Sequence, residues 1–345
     1  MAGKSIDIEN HAELLQYLRD TGKILAADTV DAINLDGGVS NRTVWVKRQQ
    51  QPDWILKQAL EKLRVKVDWF SAPERIHREA AGLRWFGQII PAHVPAFVFE
   101  DEIQHILAMT AVPQPHQNWK TMLLKGQVEE HHVQQFGTLL ATVHNAVFAY
   151  PELIKAFDDR RFFEDLRMEP YYIYTAQQVP QAAKPLMQLV EATRQRQLAL
   201  VHGDYSPKNV LVQDGNLYIL DYEVIHSGDP AFDVGFSMTH LLSKAHFLPA
   251  HRSQFIEMAK TYWETYSIAL DSRLSGDSFE SYAVRHTLAC LLARVAGRSP
   301  LEYFDDRHQQ RQKSIVLSLL DAPPRTVFAL IAAFNEGLNE PDADD

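Results

Sequence analysis

Two short stretches of this 345-residue chain hold side chains spaced for chemistry. The first is Val201-His202-Gly203-Asp204-Tyr205-Ser206-Pro207-Lys208-Asn209-Val210-Leu211-Val212, where an aspartate is followed five residues later by an asparagine in a loop leading to a short apolar run. A carboxylate at Asp204 can accept a hydrogen bond from an attacking hydroxyl and orient its lone pair, and the amide oxygen of Asn209 can ligate magnesium. Magnesium takes hard oxygen ligands in octahedral geometry, so a further carboxylate is needed. The second stretch supplies it: Asp221 stands twelve residues beyond Asn209, and Glu223 two beyond that. If 217–223 is extended, alternate side chains point the same way and the two carboxylates share a face. There they repel unless a cation lies between them; a solvated strand end is the other reading. His202 titrates near neutrality by type, but two residues before Asp204 it is read as holding the loop's shape through backbone hydrogen bonds. Lys208 has two open readings, neutralising a phosphoryl group or pointing into solvent.

The elements that must position these groups follow from the residue pattern. Residues 6–20 carry Ile6, Ile8, Leu14, Leu15 and Leu18 among polar ones, an amphipathic helix with Ser5 or Asn10 as cap. Thr43–Lys47 and Trp54–Gln58 read as strands, with Gly37 and Gly38 in the turn region before them. From Pro73 to Phe86 the apolar stripe Ile76, Ala80, Leu83, Phe86 predicts a helix. Residues 94–99 and 103–109 suggest a second hairpin, and Pro113-Gln114-Pro115 a link between two parts of the chain. Beyond it the pattern is mainly helical, over 130–149, 160–177, 182–198, 231–246, 251–270, 278–297, 307–320 and 324–337. Short apolar runs at 199–201, 210–212 and 217–220 interrupt it.

Bulk properties narrow the classes. The formal net charge of −10 disfavours broad binding to nucleic-acid backbones. There is no run of 18 apolar residues, so no membrane-spanning helix is expected. The opening MAGKSIDIENHAELL is charged where a signal peptide needs an apolar stretch. A single cysteine, Cys290, excludes an intramolecular disulfide, and a cytoplasmic location fits.

HGDYSPKNVLV followed by ILDYEVIHSGDPAFDVGF resembles the aminoglycoside phosphotransferase and choline kinase superfamily, whose fold is that of protein kinases. The resemblance implies an α+β fold of two lobes: a small antiparallel-sheet lobe over 1–112 and a mainly helical lobe over 113–345 carrying the catalytic and metal-binding loops and the acceptor pocket. It implies transfer of the γ-phosphate of ATP to a hydroxyl of a small molecule, with ATP and Mg2+ as cofactors. Asp204 would be catalytic, and Asn209, Asp221 and Glu223 would hold the metal. Asp233 takes by position the role of the aspartate that braces the catalytic loop. Gly37-Gly38-Val39-Ser40-Asn41 matches a phosphate-covering loop, where backbone N–H groups approach the ligand and side chains would obstruct. Lys57, on a strand, matches the lysine that touches the phosphates, and Glu79, on the next helix, the carboxylate that holds it.

Asp221-Tyr222-Glu223 is more similar to choline kinases and methylthioribose kinases than to the aminoglycoside enzymes. The segment ILKQALEKLRVKVDWFSAPERIHREAAGLRWF resembles methylthioribose kinases in its Lys-Gln-Ala-Leu run and the Arg and Trp that follow. Leu292–Gly297 resembles their Arg-Arg-Ile-x-Gly segment near the substrate, with Ala293 in place of the first arginine. Asn209 stands where those kinases typically lack an asparagine. Arg294 and Arg298, spaced i, i+4 on one helix face, would bind an acidic substrate group or pair with Glu302 or Asp305. Two alternatives to a general small-molecule kinase therefore stand: a methylthioribose-kinase-like sugar kinase, and a nucleotide-binding scaffold without turnover. Such a scaffold usually lacks the lysine, the catalytic Asp or the metal Asp, and all three are present here.

Overall fold

The computed structural model describes residues 6–35, 40–64 and 70–340. Gly37, Gly38 and Val39 lie outside the described residues. The chain forms two compact units, Met1–Pro115 with Tyr218–Glu223, and His116–Leu217 with Val224–Asp345. The first boundary falls three residues beyond the 112 expected from sequence, and the six-residue return of 218–223 to the first unit was not expected.

In the first unit, α1 (His11–Asp20) is capped by the Asn10 side chain accepting from the Glu13 amide. Five strands follow: β1 (Val30–Asn34), β2 (Asn41–Arg48), β3 (Trp54–Ala59), β4 (Phe97–Asp101) and β5 (Ile106–Thr110), with α2 (Arg75–Ile89) between β3 and β4. They form one antiparallel sheet in the order β1-β2-β3-β5-β4. Strand β1 escaped the sequence pattern because only Ala32 of its five residues is buried. Leu14 and Leu18 of α1 pack with Val44, Val46, Leu56 and Ala108 of the sheet into one apolar cluster. The α2 stripe Ile76, Ala80, Leu83 and Phe86 is buried as its spacing predicts. Register places Lys57 opposite Thr43 and Leu107 at the centre of the sheet.

Three contacts hold the 218–223 segment in this unit. Asp221 pairs with Lys57, the Tyr222 ring lies 4.6 Å from that of Phe86, and Glu223 pairs with Arg75.

The second unit begins with β6 (Gln117–Asn118), α3 (Trp119–Leu124), α4 (Glu130–Ala149), α5 (Glu152–Ala156) and α6 (Arg161–Phe163). Where one helix was expected over 160–177, α6 runs into a π-helical stretch, Glu164–Ile173, and then α7 (Tyr174–Gln178). Pro170 inside this stretch has no N–H to give a regular α-helical ladder. Next come α8 (Ala183–Arg194), β7 (Ala199–Val201), β8 (Val210–Gln213), β9 (Asn216–Ile219) and β10 (His226–Gly228). β7 pairs with β10 and β6 with β8, both antiparallel. Four long helices complete the unit: α9 (Pro230–Phe247), α10 (Arg252–Ala269), α11 (Asp277–Ala296) and α12 (Asp306–Asp321), followed by α13 (Val327–Asn339). Among the described residues no helix is long and apolar enough to cross a membrane.

Helix α9 is buried on every side from Pro230 to His246, which makes it the axis of this unit. It meets α11 at Gly235, where an added Cβ would lie 2.5 Å from the His286 Cβ and 2.6 Å from its carbonyl carbon. Gly235→Ala should therefore force the helices apart and cost about 1–3 kcal/mol. Chemical denaturation with an unchanged slope and a lowered midpoint would show this; an unaltered midpoint would refute the close approach.

Candidate active site

The Asp204 loop takes its shape from Asp233, one turn into α9. Its Oδ2 accepts from the His202 amide at 2.7 Å, and its Oδ1 from the Gly203 amide at 2.8 Å. His144 Nε2 lies 3.3 Å from the same Oδ2 and its Nδ1 2.8 Å from the Tyr266 hydroxyl. Burial raises the Asp233 pKa, but His144, His202 and the Gly203 amide outweigh it and hold the carboxyl below its ordinary value. Gly203 has φ +78°, and a Cβ there would lie 2.9 Å from the Val224 side chain and carbonyl oxygen, so only glycine fits. The His202 ring is fully buried, and its Nδ1 accepts the Asp204 amide at 3.2 Å.

Asp204 itself is almost fully buried. Its Oδ2 receives Arg167 at 2.9 Å, Lys208 at 3.2 Å and the Asn209 amide nitrogen at 2.8 Å. Burial raises its pKa; Arg167, Lys208 and Asn209 lower it further than burial raises it, well below the usual carboxylate range. Asn209 also donates to the Asp204 carbonyl at 3.0 Å, which leaves its amide oxygen as the atom suited to a cation. Arg167 comes from the π-helical stretch, and its Nε donates to the Gly203 carbonyl at 2.7 Å. No motif marked this arginine in the sequence; Pro170 within a helical pattern was the one local irregularity.

In the first unit, the Lys57 ammonium lies 2.5 Å from Glu79 and 3.2 Å from Asp221. Burial lowers the Lys57 pKa, but Asp221 and Glu79 more than offset it, and the lysine stays charged. Glu79 is fully buried, and that burial, with Asp221 and Glu223 nearby, pushes its carboxyl up against the pull of Lys57. Glu79 and Asp221 share the single ammonium of Lys57, while Glu223 has Arg75, so the group carries one negative charge more than its cations when all three carboxyls are ionised, a balance that suits a bound cation.

The expectation that Asp221 and Glu223 share one face is not what the structure shows. Strand β9 ends at Ile219, and Asp221 has φ +72°, a left-handed conformation that breaks the alternation. Each carboxylate instead meets its own cation, Asp221 with Lys57 and Glu223 with the fully buried Arg75 at 3.2 Å. Arg75 also donates to the carbonyls of Ser71, Ala72, Leu60 and Ser40. It thereby fixes Ser40, at the end of the glycine segment, to the Glu223 segment. Asn41, beside it, is buried and donates to the Ser40 hydroxyl at 3.2 Å. In the first unit, Asp221 and Glu223 offer carboxylate oxygens, the ligand type that magnesium takes.

Arg294 forms no ion pair with Glu302 or Asp305. It donates to the Ser299 carbonyl at 2.8 Å and hydroxyl at 3.1 Å, and lies 3.3 Å from His240 Nε2. Glu302 pairs with Lys120, and Asp305 with His308. Neighbouring Arg298 is taken by Glu169 at 2.9 Å.

The sequence matches the phosphotransferase enzyme family over residues 31–273. It is 25% identical over 297 residues to a methylthioribose kinase of Pectobacterium atrosepticum, covering 74% of this chain and 73% of that one. A methylthioribose kinase of Yersinia enterocolitica is 28% identical over 299 residues, with the same coverage of 74% and 73%. The fold is shared with an amicoumacin kinase bound to AMP-PNP and Ca2+, at TM-score 0.55 and 14% identity over 93% of this chain and 98% of that one. It is also shared with a choline/ethanolamine kinase family protein from Mesorhizobium loti, at TM-score 0.53 and 14% identity over 94% and 99%. With its family match extending over well more than half of its length, the chain belongs to the phosphotransferase enzyme family and is a small-molecule kinase.

Proposed function

We propose that this chain transfers the γ-phosphate of ATP to a hydroxyl of a small molecule, with Mg2+ as cofactor and Asp204 as the residue that receives the acceptor hydroxyl. The observation that carries the reading is the Asp204 carboxylate, buried and held ionised by Arg167, Lys208 and Asn209 on a loop clamped by Asp233. A carboxylate with so low a pKa is a weak base, but it stays ionised and can accept and orient the hydroxyl's hydrogen bond. That suits phosphoryl transfer, whose loose transition state gains most from positioning and charge neutralisation.

Lys57, steadied by Glu79, would contact the phosphates, together with Ser40, Asn41 and the Gly37-Gly38 segment that precedes them in sequence. Asp221, Glu223 and Asn209 would hold magnesium, which supplies neutralisation of the phosphate oxygens when bound. Lys208 is a second cation at the Asp204 carboxylate, placed to face charge developing on the transferred group. Arg167 is a positioning residue, acting through Asp204 and the Gly203 carbonyl. His202 and Asp233 support the loop. In this reading the protein works in the cytoplasm on a small molecule, with no nucleic-acid or membrane partner. Similarity to methylthioribose kinases favours a sugar-like acceptor as the second, narrower reading.

Turnover is tested by ATP consumption over a panel of sugars, amino alcohols and aminoglycosides, methylthioribose among them. Asp204→Asn should lower kcat by about 10²–10⁴-fold with nucleotide binding retained; stimulated ATP consumption at the wild-type rate would remove Asp204 from the mechanism. Asp221→Ala should abolish the magnesium-dependent part of an ATP-induced thermal shift. A shift that survives intact would sink the metal assignment.

The pH dependence follows from the sign of the Asp204 shift. Its folded pKa lies below the unfolded value of about 4, so the stabilisation from Arg167 and Lys208 is complete above that pH and lost as pH falls below it. Arg167→Met should move the acid limb of kcat/KM upward and remove part of that low-pH loss of stability. An acid limb identical to wild type would show that Arg167 does not set the state of Asp204.

A further inference from the structure

The second unit buries positive charge that its own carboxylates do not match. Lys244, on α9, is fully buried; its one hydrogen bond is to the His240 carbonyl at 3.2 Å, and it has no ion pair among the described residues. Its ammonium lies 5.8 Å from the centre of the Tyr303 ring. Arg294, on α11, is more than nine-tenths buried, and its Nε has no hydrogen-bond partner. The buried Tyr303 hydroxyl has none either. Lys120, on α3, is the third cation, and Glu302, its partner, is the single carboxylate among the groups that act on Lys244. His240, between Lys244 and Arg294, is held neutral by burial and the surrounding cations.

Such an arrangement costs stability unless something repays it, because an unmatched buried charge is several kcal/mol unfavourable. Burial, Lys120 and Arg294 together lower the Lys244 pKa to about 7, so the site sits at the edge of losing its proton. An oxyanion between Lys244, Arg294 Nε and the Tyr303 hydroxyl would satisfy all three. The Lys120–Glu302 end is the side open to solvent, with Lys120 28% and Glu302 64% exposed.

The cluster also lies beside the catalytic loop. The Arg294 guanidinium is 5.3 Å from the Tyr171 ring centre and 5.6 Å from that of Phe236. The Arg167 guanidinium, which grips Asp204, is 5.7 and 5.6 Å from the same two rings. One layer of two aromatic rings therefore links the cluster to the residue that receives the hydroxyl.

We propose that Lys244, Arg294 and Lys120, with the Tyr303 hydroxyl, form an oxyanion site that holds a carboxylate or phosphate carried by the acceptor, so that the substrate is an acidic alcohol. This rests on the phosphotransfer reading for the word acceptor, but the site itself is defined by binding. The amine-rich and neutral acceptors of a general panel are then poor substrates, and the acid decides recognition.

The test compares D-ribose, D-ribonate and D-ribose 5-phosphate, with inorganic phosphate as a probe without a carbon skeleton. Calorimetric titration into the intact protein should show ribonate or ribose 5-phosphate binding at least 10-fold more tightly than ribose; which of the two binds identifies carboxylate or phosphate as the group. Lys244→Met and Arg294→Met should each lose at least 10-fold in that affinity, and Arg294→Lys should recover part of it. Without ligand, Lys244→Met should melt no lower than wild type, since it replaces an unmatched charge by an apolar chain of similar length. Equal binding of ribose and both acids, or anion affinity unchanged in both Met variants, overturns the site. Should Lys244→Met fail to fold, the wild-type comparison and Arg294→Met decide. Anion binding without any stimulated ATP consumption would leave the site standing and count against phosphotransfer; ATP consumption with ribose alone would do the reverse.

Discussion

A charge taken out of water must meet an opposite charge or a set of dipoles, and that constraint organises this protein. Each charged side chain assigned to chemistry is a buried or half-buried ion with a named counter-ion. Asp204 has Arg167 and Lys208, Lys57 has Glu79 and Asp221, and Glu223 has Arg75. Asp233 is matched differently, by two backbone amides and a histidine. The pairings fix geometry as much as they offset desolvation, because each guanidinium has further N–H groups that reach carbonyls nearby. Arg75 and Arg167 play matching parts in the two units. One ties Ser40 and Leu60 to the Glu223 segment, and the other ties the Gly203 carbonyl to Asp204.

The fold was largely legible because its patterns are local. The stripe of α2, the strands around Trp45 and Ile55, and the Asn10 cap all follow from periodicity and side-chain chemistry. So did the candidate residues whose spacing is short, Asp204 with Asn209 and Asp221 with Glu223. What stayed hidden depends on long-range pairing. Arg167 lies 37 positions before Asp204 in a helix made irregular by Pro170, and Arg75 lies 148 before Glu223. The assumed shared face of Asp221 and Glu223 failed for a related reason. A left-handed residue in the middle of a short segment leaves no trace in an alternation pattern, and aspartate tolerates it better than most side chains. The Arg294 alternatives were likewise undecidable from spacing, since i, i+4 geometry does not tell which carboxylate of the segment between α11 and α12 turns back toward it.

The two units treat charge in opposite ways. The first sets Glu79 and Asp221 against one lysine, with Glu223 matched by Arg75, a small negative surplus that suits a bound cation. The second gathers Lys244, Arg294 and Lys120 with one carboxylate, a surplus that suits a bound anion. Neither surplus is stabilising by itself. In the proposed reading, binding energy would offset that cost, and the folded chain would be preorganised for its ligands.

Helix α9 carries this preorganisation along its length. Asp233 near its start clamps the catalytic loop, Phe236 lies under both arginines, and His240 and Lys244 belong to the cation cluster two and three turns on. The helix is thus a ruler. From Asp233 to Lys244 its axis rises by roughly 16 Å, at 1.5 Å per residue, and no side-chain substitution alters that interval. Point changes around Lys244 can retune the charge of the cluster, but its separation from the Asp233 clamp is set by the backbone of a helix buried on all sides. A different spacing between clamp and cluster would call for a different backbone in this region, whereas a different charge needs only a different side chain.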